Sequence, residues 1–142
     1  MTLAEPYPED TVVRTVRGPK MLLQRAFFAQ ESVLKVLLND RNECYFHWGW
    51  KTPAGWEWKK AKFNDMELGE ILLVLQGRKE KTAFYHSFDG QGGKVTTQIW
   101  VNRGGGHCTF KVKEASKSLT EAEQKVLETL LQHAIVLMNL TL

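Results

Sequence analysis

The sequence predicts an α+β fold in which an antiparallel β-meander followed by a helix occurs twice. Three observations predict it. Two segments, near residues 64–77 and 118–138, carry apolar residues at helical spacing behind capping signals. The stretches ahead of them switch to a period of two, with aromatic residues flanked by Gly- and Pro-containing turns. The resulting order of strands, helix, strands and longer helix repeats one layout, in arrangement more than in residue identity.

Each helix has a physical reason. Asn64 or Asp65 supplies a side-chain oxygen for the orphan amides of the first, Glu67 sits in its first turn, and Gly77 is its stop. Leu68, Ile71, Leu72 and Leu75 form its apolar stripe. The second helix opens on two overlapping capping boxes, Ser118-Leu-Thr-Glu121 and Thr120-Glu-Ala-Glu123. Val126, Leu127, Leu130, Leu131, Ala134 and Met138 continue as one stripe, and residues 134–138 are apolar on every side. Such an end needs cover from two directions, so it is expected to enter a subunit interface.

Among the strands, residues 44–50 and 56–63 read as a hairpin closed by Lys51-Thr-Pro-Ala-Gly55. Residues 81–88 form a strand, 89–93 a turn or flexible loop, and 95–103 with 107–114 a further hairpin around Gly104-Gly-Gly106. Residues 11–16 read as a short strand. Residues 21–29 and 33–38 fit strand or helix, strand being the preferred reading.

The 142 residues, 43% hydrophobic and 25% charged, suit one ordinary domain and exclude a disordered tail, a collagen-like fibre or a disulfide-stapled miniprotein. The longest purely apolar runs, 71–75 and 134–138, fall far short of the ~20 residues that span a bilayer. Residues 1–10 are acidic and hold two prolines, unlike a secretory leader. The expectation is a flexible acidic N-terminus (1–10) followed by a single domain (11–142), soluble and cytoplasmic or nucleoid-associated. Two cysteines, Cys44 and Cys108, allow at most one disulfide, and a free, reduced pair is expected. The net charge of +3 hides an asymmetry: the acidic ends leave +8 on residues 11–119, a balance that suits an anionic partner.

Strand alternation then assigns faces. In 95–103, Val95, Ile99 and Val101 form an apolar face, opposite Thr96, Gln98, Trp100 and Asn102. In the partner strand Phe110 and Val112 face the core and Thr109, Lys111 and Lys113 point away. A flat aromatic among amides, hydroxyls and lysines is what stacking on single-stranded bases requires, although an amphipathic Trp tucked under a loop gives the same pattern. In the earlier hairpin, closure about Pro53 sets Trp48 opposite Trp58 and Trp50 opposite Trp56, with Cys44 and Phe46 meeting Lys60 and Lys62 on the same face. The other face carries Tyr45, His47, Lys51 and Lys59. Pattern alone leaves open which of the two is wet.

The motifs of enzymes are poorly served. Cys44 and His47 point to opposite faces, as do His107 and Cys108, so neither pair builds a zinc site. Gly104-Gly-Gly106 leads into a strand and lacks the helix terminus of a phosphate-binding loop. Glu67 and Glu70 share a helix face suited in principle to magnesium, but solvated carboxylates are the simpler reading.

Trp56-Glu-Trp-Lys-Lys-Ala-Lys-Phe63, followed by Glu67-Leu-Gly69, resembles the tyrosine–aspartate–tryptophan, basic-run, phenylalanine, glutamate–valine–glycine stretch of the Whirly single-stranded DNA-binding proteins. Phe84-Tyr-His86 is similar to that family's phenylalanine–phenylalanine–histidine, and Thr120-Glu-Ala-Glu123 to the opening of its last helix. Arg17-Gly-Pro-Lys20 with Leu22 resembles its lysine–glycine–lysine–alanine–alanine–leucine motif. Order and spacing agree over about residues 12–140. The resemblance implies a Whirly-like fold of two antiparallel sheets packed on helices, a homo-oligomer assembled through the helices, with a tetramer favoured, and single strands lying across the sheets. The related transcriptional coactivator and mitochondrial guide-RNA-binding proteins share the architecture, which makes RNA the alternative ligand.

The functional expectation is a non-enzymatic, largely sequence-independent single-stranded DNA-binding protein without cofactor or metal. The alternatives are a single-stranded RNA-binding protein and a protein-interaction module. Lys20, Lys60, Lys62 and Lys111 are the candidates for phosphate contacts, and Trp48, Trp58 and Trp100 for base stacking.

Overall fold

A computed structural model describes residues 18–90 and 93–140, the side chains of 88–90 excepted. The strand expected at 11–16 and the acidic first ten residues lie outside the described residues. The order is β1 (Met21–Phe28), β2 (Ser32–Asn39), β3 (Cys44–Thr52), β4 (Gly55–Phe63), α1 (Asp65–Leu75), β5 (Lys81–Gly90), β6 (Gly93–Gly104), β7 (His107–Val112), β8 (Ala115–Leu119) and α2 (Glu121–Met138). β1–β4 form one antiparallel sheet and β5–β8 a second, each in sequential order. The chain is thus an α+β fold built from two four-stranded meanders, each followed by a helix. No helix is long and apolar enough to cross a membrane among the described residues.

β2 shows why its sequence reads ambiguously. Val33, Leu34, Val36, Leu37 and Leu38 are all buried, on both faces of the strand, so the apolar run is continuous and a period of two disappears. Sequence reading missed β8 altogether. Its inward residues are Ala115, Lys117 and Leu119 and its outward ones are serines, a composition with little β propensity. Lys113, at φ 51°, makes the turn into it. The β5–β6 hairpin also runs further than expected, pairing as far as Gly90 with Gly93.

The β3–β4 hairpin requires a correction. Thr52 pairs with Gly55, so the turn closes between Pro53 and Ala54, and the register lies one residue from closure about Pro53. Thr52 Oγ1 donates to Gly55 O and accepts from Ala54 N, and Gly55 takes φ +118°, a value that favours glycine. A slip of one residue exchanges the faces of a whole strand. Trp48 therefore neighbours Lys59, Trp50 neighbours Glu57, and Cys44 and Phe46 meet Phe63 and Ala61. Trp58, Lys60 and Lys62 move to the face of Gly49, His47 and Tyr45.

One apolar core joins the repeats. Phe46 meets Phe63 edge-on at 4.9 Å between ring centroids, Phe63 meets Phe84 at 5.3 Å, and Phe46 lies 5.9 Å from Phe110. β8 packs on β2 and β3, closing the sheets against each other. Trp48, only 1% exposed, donates its indole N–H to Phe110 O across that junction at 3.3 Å. Both cysteines are free and buried, and burial pushes the Cys44 thiol up to about 12 and the Cys108 thiol up to about 11.

The helices begin as the capping signals indicate. Asn64 with Glu67 and Thr120 with Glu123 form complete capping boxes, so the second of the two overlapping candidates is the one used. α1 has no basic residue in its last turn. Arg103, on β6, supplies the charge: its guanidinium donates to Val74 O at 3.1 Å, Leu75 O at 3.2 Å and Gln124 Oε1 at 3.0 Å. Gln124, itself buried, donates to Gly106 O and Leu119 O. These bonds tie the end of α1 to the start of α2, and Asn139 Nδ2 donating to Asp65 Oδ2 ties the opposite ends of an antiparallel pair. Arg103→Met is expected to remove the guanidinium bonds to Leu75 O and Gln124 Oε1, Val74 O keeping the Gly77 N–H, and to cost about 2–3 kcal/mol, seen as a lower denaturant midpoint at unchanged slope.

Candidate functional site

In each sheet one face packs on the core and the other looks outward. The outward face of the second sheet follows the sequence expectation. Trp100 is half-buried between Ala83 and Lys111, and the Lys111 ammonium lies 6.0 Å from its ring centroid. Beside it Tyr85 is 67% exposed, and its hydroxyl accepts a hydrogen bond from Gln98 Nε2 at 2.6 Å. Ser87 with Thr96 and Thr109 with Ser118 bond across neighbouring strands, lining the face with hydroxyls.

The outward face of the first sheet holds what the shifted register delivers. Trp58 lies over Gly49, and a Cβ there would meet its ring at 2.8 Å and Val33 at 2.9 Å, so only glycine lets the indole settle on the sheet. Trp56 stacks on Trp58 at 6.4 Å and 29° between planes and is the more open of the two, at 47% exposed. Phe28, at the end of β1, is 74% exposed. Lys60 and Lys62 stand on the same face, Lys62 at 3.7 Å from Glu43.

The predicted site residues therefore divide. Trp58, Lys60 and Lys62 share one outward face, and Trp100 and Lys111 share the other. Lys20 is exposed just ahead of β1, its backbone bonded to Asp40. Trp48 is core and cannot stack on a ligand in the folded chain. Phe28, Lys35, Trp56 and Tyr85 stand on these outward faces as well, beyond the binding residues that the sequence pattern indicates. Strand alternation holds the signal for both Trp56 and Tyr85, completed by the β3–β4 register for the first and the β5–β6 register for the second. Glu67 and Glu70, weighed as metal ligands, bond His86 at 2.9 Å and Lys79 respectively, and no three His, Cys, Asp or Glu side chains gather among the described residues.

The first sheet's outward face is also concave. Val33, Leu37, Asn39 and His47 are all nearly closed off from solvent although they point away from the core. Leu37, Asn39 and His47 form the floor of a trough between the start of β1 and β4, while Val33 lies beside Gly49 and Trp58. His47 sits between Lys35 and Lys60 in one cross-strand row, with Tyr45 edge-on at 6.1 Å. Burial disfavours its imidazolium and the two lysines repel it, so the His47 pKa falls to about 4 and the ring is neutral at pH 7. Because the unfolded chain takes up this proton near pH 6.5, the stability from neutral His47 is complete above that pH and is lost as pH falls toward 4. The loss is on the order of 1–2 kcal/mol after allowing for solvent screening. His47→Gln should therefore lose less stability than the parent between pH 7 and pH 4 in parallel denaturation series.

No family model and no curated protein matches the chain. Two solved structures share its fold. The MRP1/MRP2 structure of Trypanosoma brucei superposes with a TM-score of 0.57 at 17% identity, over 84% of this chain and 85% of that one. A guide-RNA-binding protein complex bound to a guide RNA gives 0.51 at 16% identity, over 87% of this chain and 94% of that one. At these identities the likeness is one of fold: the doubled meander-plus-helix architecture is shared with these two structures.

Proposed function

We propose that the chain is a non-enzymatic binder of single-stranded nucleic acid, with RNA as the preferred strand. One observation carries the reading: both sheets turn an outward face to solvent on which aromatic rings stand among lysines. Trp56 and Trp58 stand with Lys60 and Lys62 on one, and Tyr85 and Trp100 with Lys111 on the other. Rings offer π-faces to any base and ammonium groups offer charge to any phosphate, so such faces bind without strong sequence preference. The shared fold of a protein complex bound to guide RNA supports RNA over the DNA that the Whirly resemblance puts first. The resemblance also supports an assembly through the helices. Val126 and Val136 of α2 are exposed, Val136 by 54%, and Ile135, Leu137 and Met138 are half-buried. We read this as a homo-oligomeric, Whirly-like protein, with a tetramer as the state the resemblance implies. Buried free thiols suit a reducing setting, cytoplasmic or nucleoid-associated.

Titration of intrinsic tryptophan fluorescence with oligo-U, oligo-dT and duplex DNA tests the reading. Single strands should quench strongly and duplex weakly, and affinity should fall with salt by about 0.7 log units per log unit for each phosphate neutralised. Trp56→Ala and Trp100→Ala should each cost about 1–3 kcal/mol, Lys60→Ala with Lys62→Ala should flatten the salt slope, and Trp48→Phe should leave affinity unchanged. A flat response to all three ligands sinks the proposal. Sedimentation of the chain and of Val136→Glu tests the assembly, the variant being expected to dissociate into smaller species.

A further inference from the structure

The trough on the first sheet is an open concavity of about 420 Å³, within the range of small-ligand sites. Its chemistry changes from one end to the other. At one end Lys35 and Lys60 flank His47 in a single cross-strand row. In the middle the buried Leu37 makes an apolar floor beside the Tyr45 ring. At the other end stands Glu43, four residues from His47 and so about 13 Å away at strand rise. This carboxylate is held by a buried amide and an ion pair: Asn39 Nδ2 donates to Glu43 Oε1 at 2.9 Å, Lys62 Nζ lies 3.7 Å from Glu43 Oε2, and Asn39 Oδ1 accepts from the backbone N–H groups of Arg41 and Glu43. A cationic end, an apolar middle and a fixed acceptor are the requirements of one nucleotide: phosphate, base face and base edge.

We propose that this trough is a single-nucleotide subsite that selects bases bearing an exocyclic amino group, guanine foremost, and disfavours uracil and thymine. The inference rests on the single-strand reading above and adds base selectivity to it. Glu43 accepts hydrogen bonds and donates none, and a carboxylate oxygen accommodates more than one. Guanine offers it an adjacent N1–H and N2–H₂, and cytosine or adenine an amino group. Uracil and thymine present carbonyl oxygens on both sides of a single N–H, and those oxygens are repelled by the carboxylate. His47, neutral at pH 7, leaves the cationic end with the charge of the two lysines alone.

The test uses the full chain and two oligonucleotides, U9 and U9 with its central base replaced by guanine, compared by fluorescence anisotropy at one salt concentration. The guanine-containing strand should bind about tenfold tighter, within the discrimination of a bidentate base contact. Glu43→Gln, whose amide oxygen still accepts from Asn39, should bring the ratio of the two affinities to within about twofold. The ratio is the readout because loss of one negative charge raises both affinities together. Equal binding of the two strands by the parent chain, or an unchanged ratio in Glu43→Gln, overturns the subsite while leaving single-strand binding intact. Failure of both strands to bind overturns the single-strand reading and the subsite with it.

Discussion

The pairing of Thr52 with Gly55 is the constraint on which the rest of the surface depends. A two-residue turn at Pro53 and Ala54 sets the β3–β4 register, and register sets the face of every side chain in β4. In this register Phe63 and Ala61 complete the core wall begun by Cys44 and Phe46. The same choice sends Trp58, Lys60 and Lys62 outward together. The alternative would set Lys60 and Lys62 against Phe46 and Cys44, where Ala61 and Phe63 now pack, and lysines without partners there are costly. The core thus decides the composition of the outward face.

Two repeats with the same topology use their outward faces differently. The second sheet presents separate rings, Tyr85 and Trp100, among amides and hydroxyls. The first holds a stacked tryptophan pair over a glycine and a floor of buried residues, so it is a trough where its counterpart is an open platform. Arg103 and Gln124 join the repeats by bonding at the helix end that lacks its own cation. With the Trp48 bond to Phe110, these contacts couple sheets that pattern alone would allow to fold as separate units.

Much of the fold was legible in local chemistry. Asn64 with Glu67 and Thr120 with Glu123 announce both helix starts because capping depends on residues three apart. The outward position of Trp100 follows from alternation in a long strand whose opposite face is Val95, Ile99 and Val101. β8 was not legible, since Ala115 and two serines carry no strand signal and the segment is held by pairing with β7 and packing on β2 and β3. Trp48 reads as a stacking candidate because alternation leaves open which face of β3 is wet, and the hairpin's closure decides only which β4 residues share that face.

By itself the sequence determined the α+β class, the duplication, the two capped helices and the basic body between acidic ends. Periodicity, capping and charge are properties of neighbouring residues, so local sequence carries them. Tertiary structure decided which tryptophans meet solvent, because that depends on a register one residue wide. It also decided that an outward sheet face is hollow, since the burial of Leu37, Asn39 and His47 comes from walls contributed by separate strands. The trough is a property of distance between segments, and no local pattern encodes it.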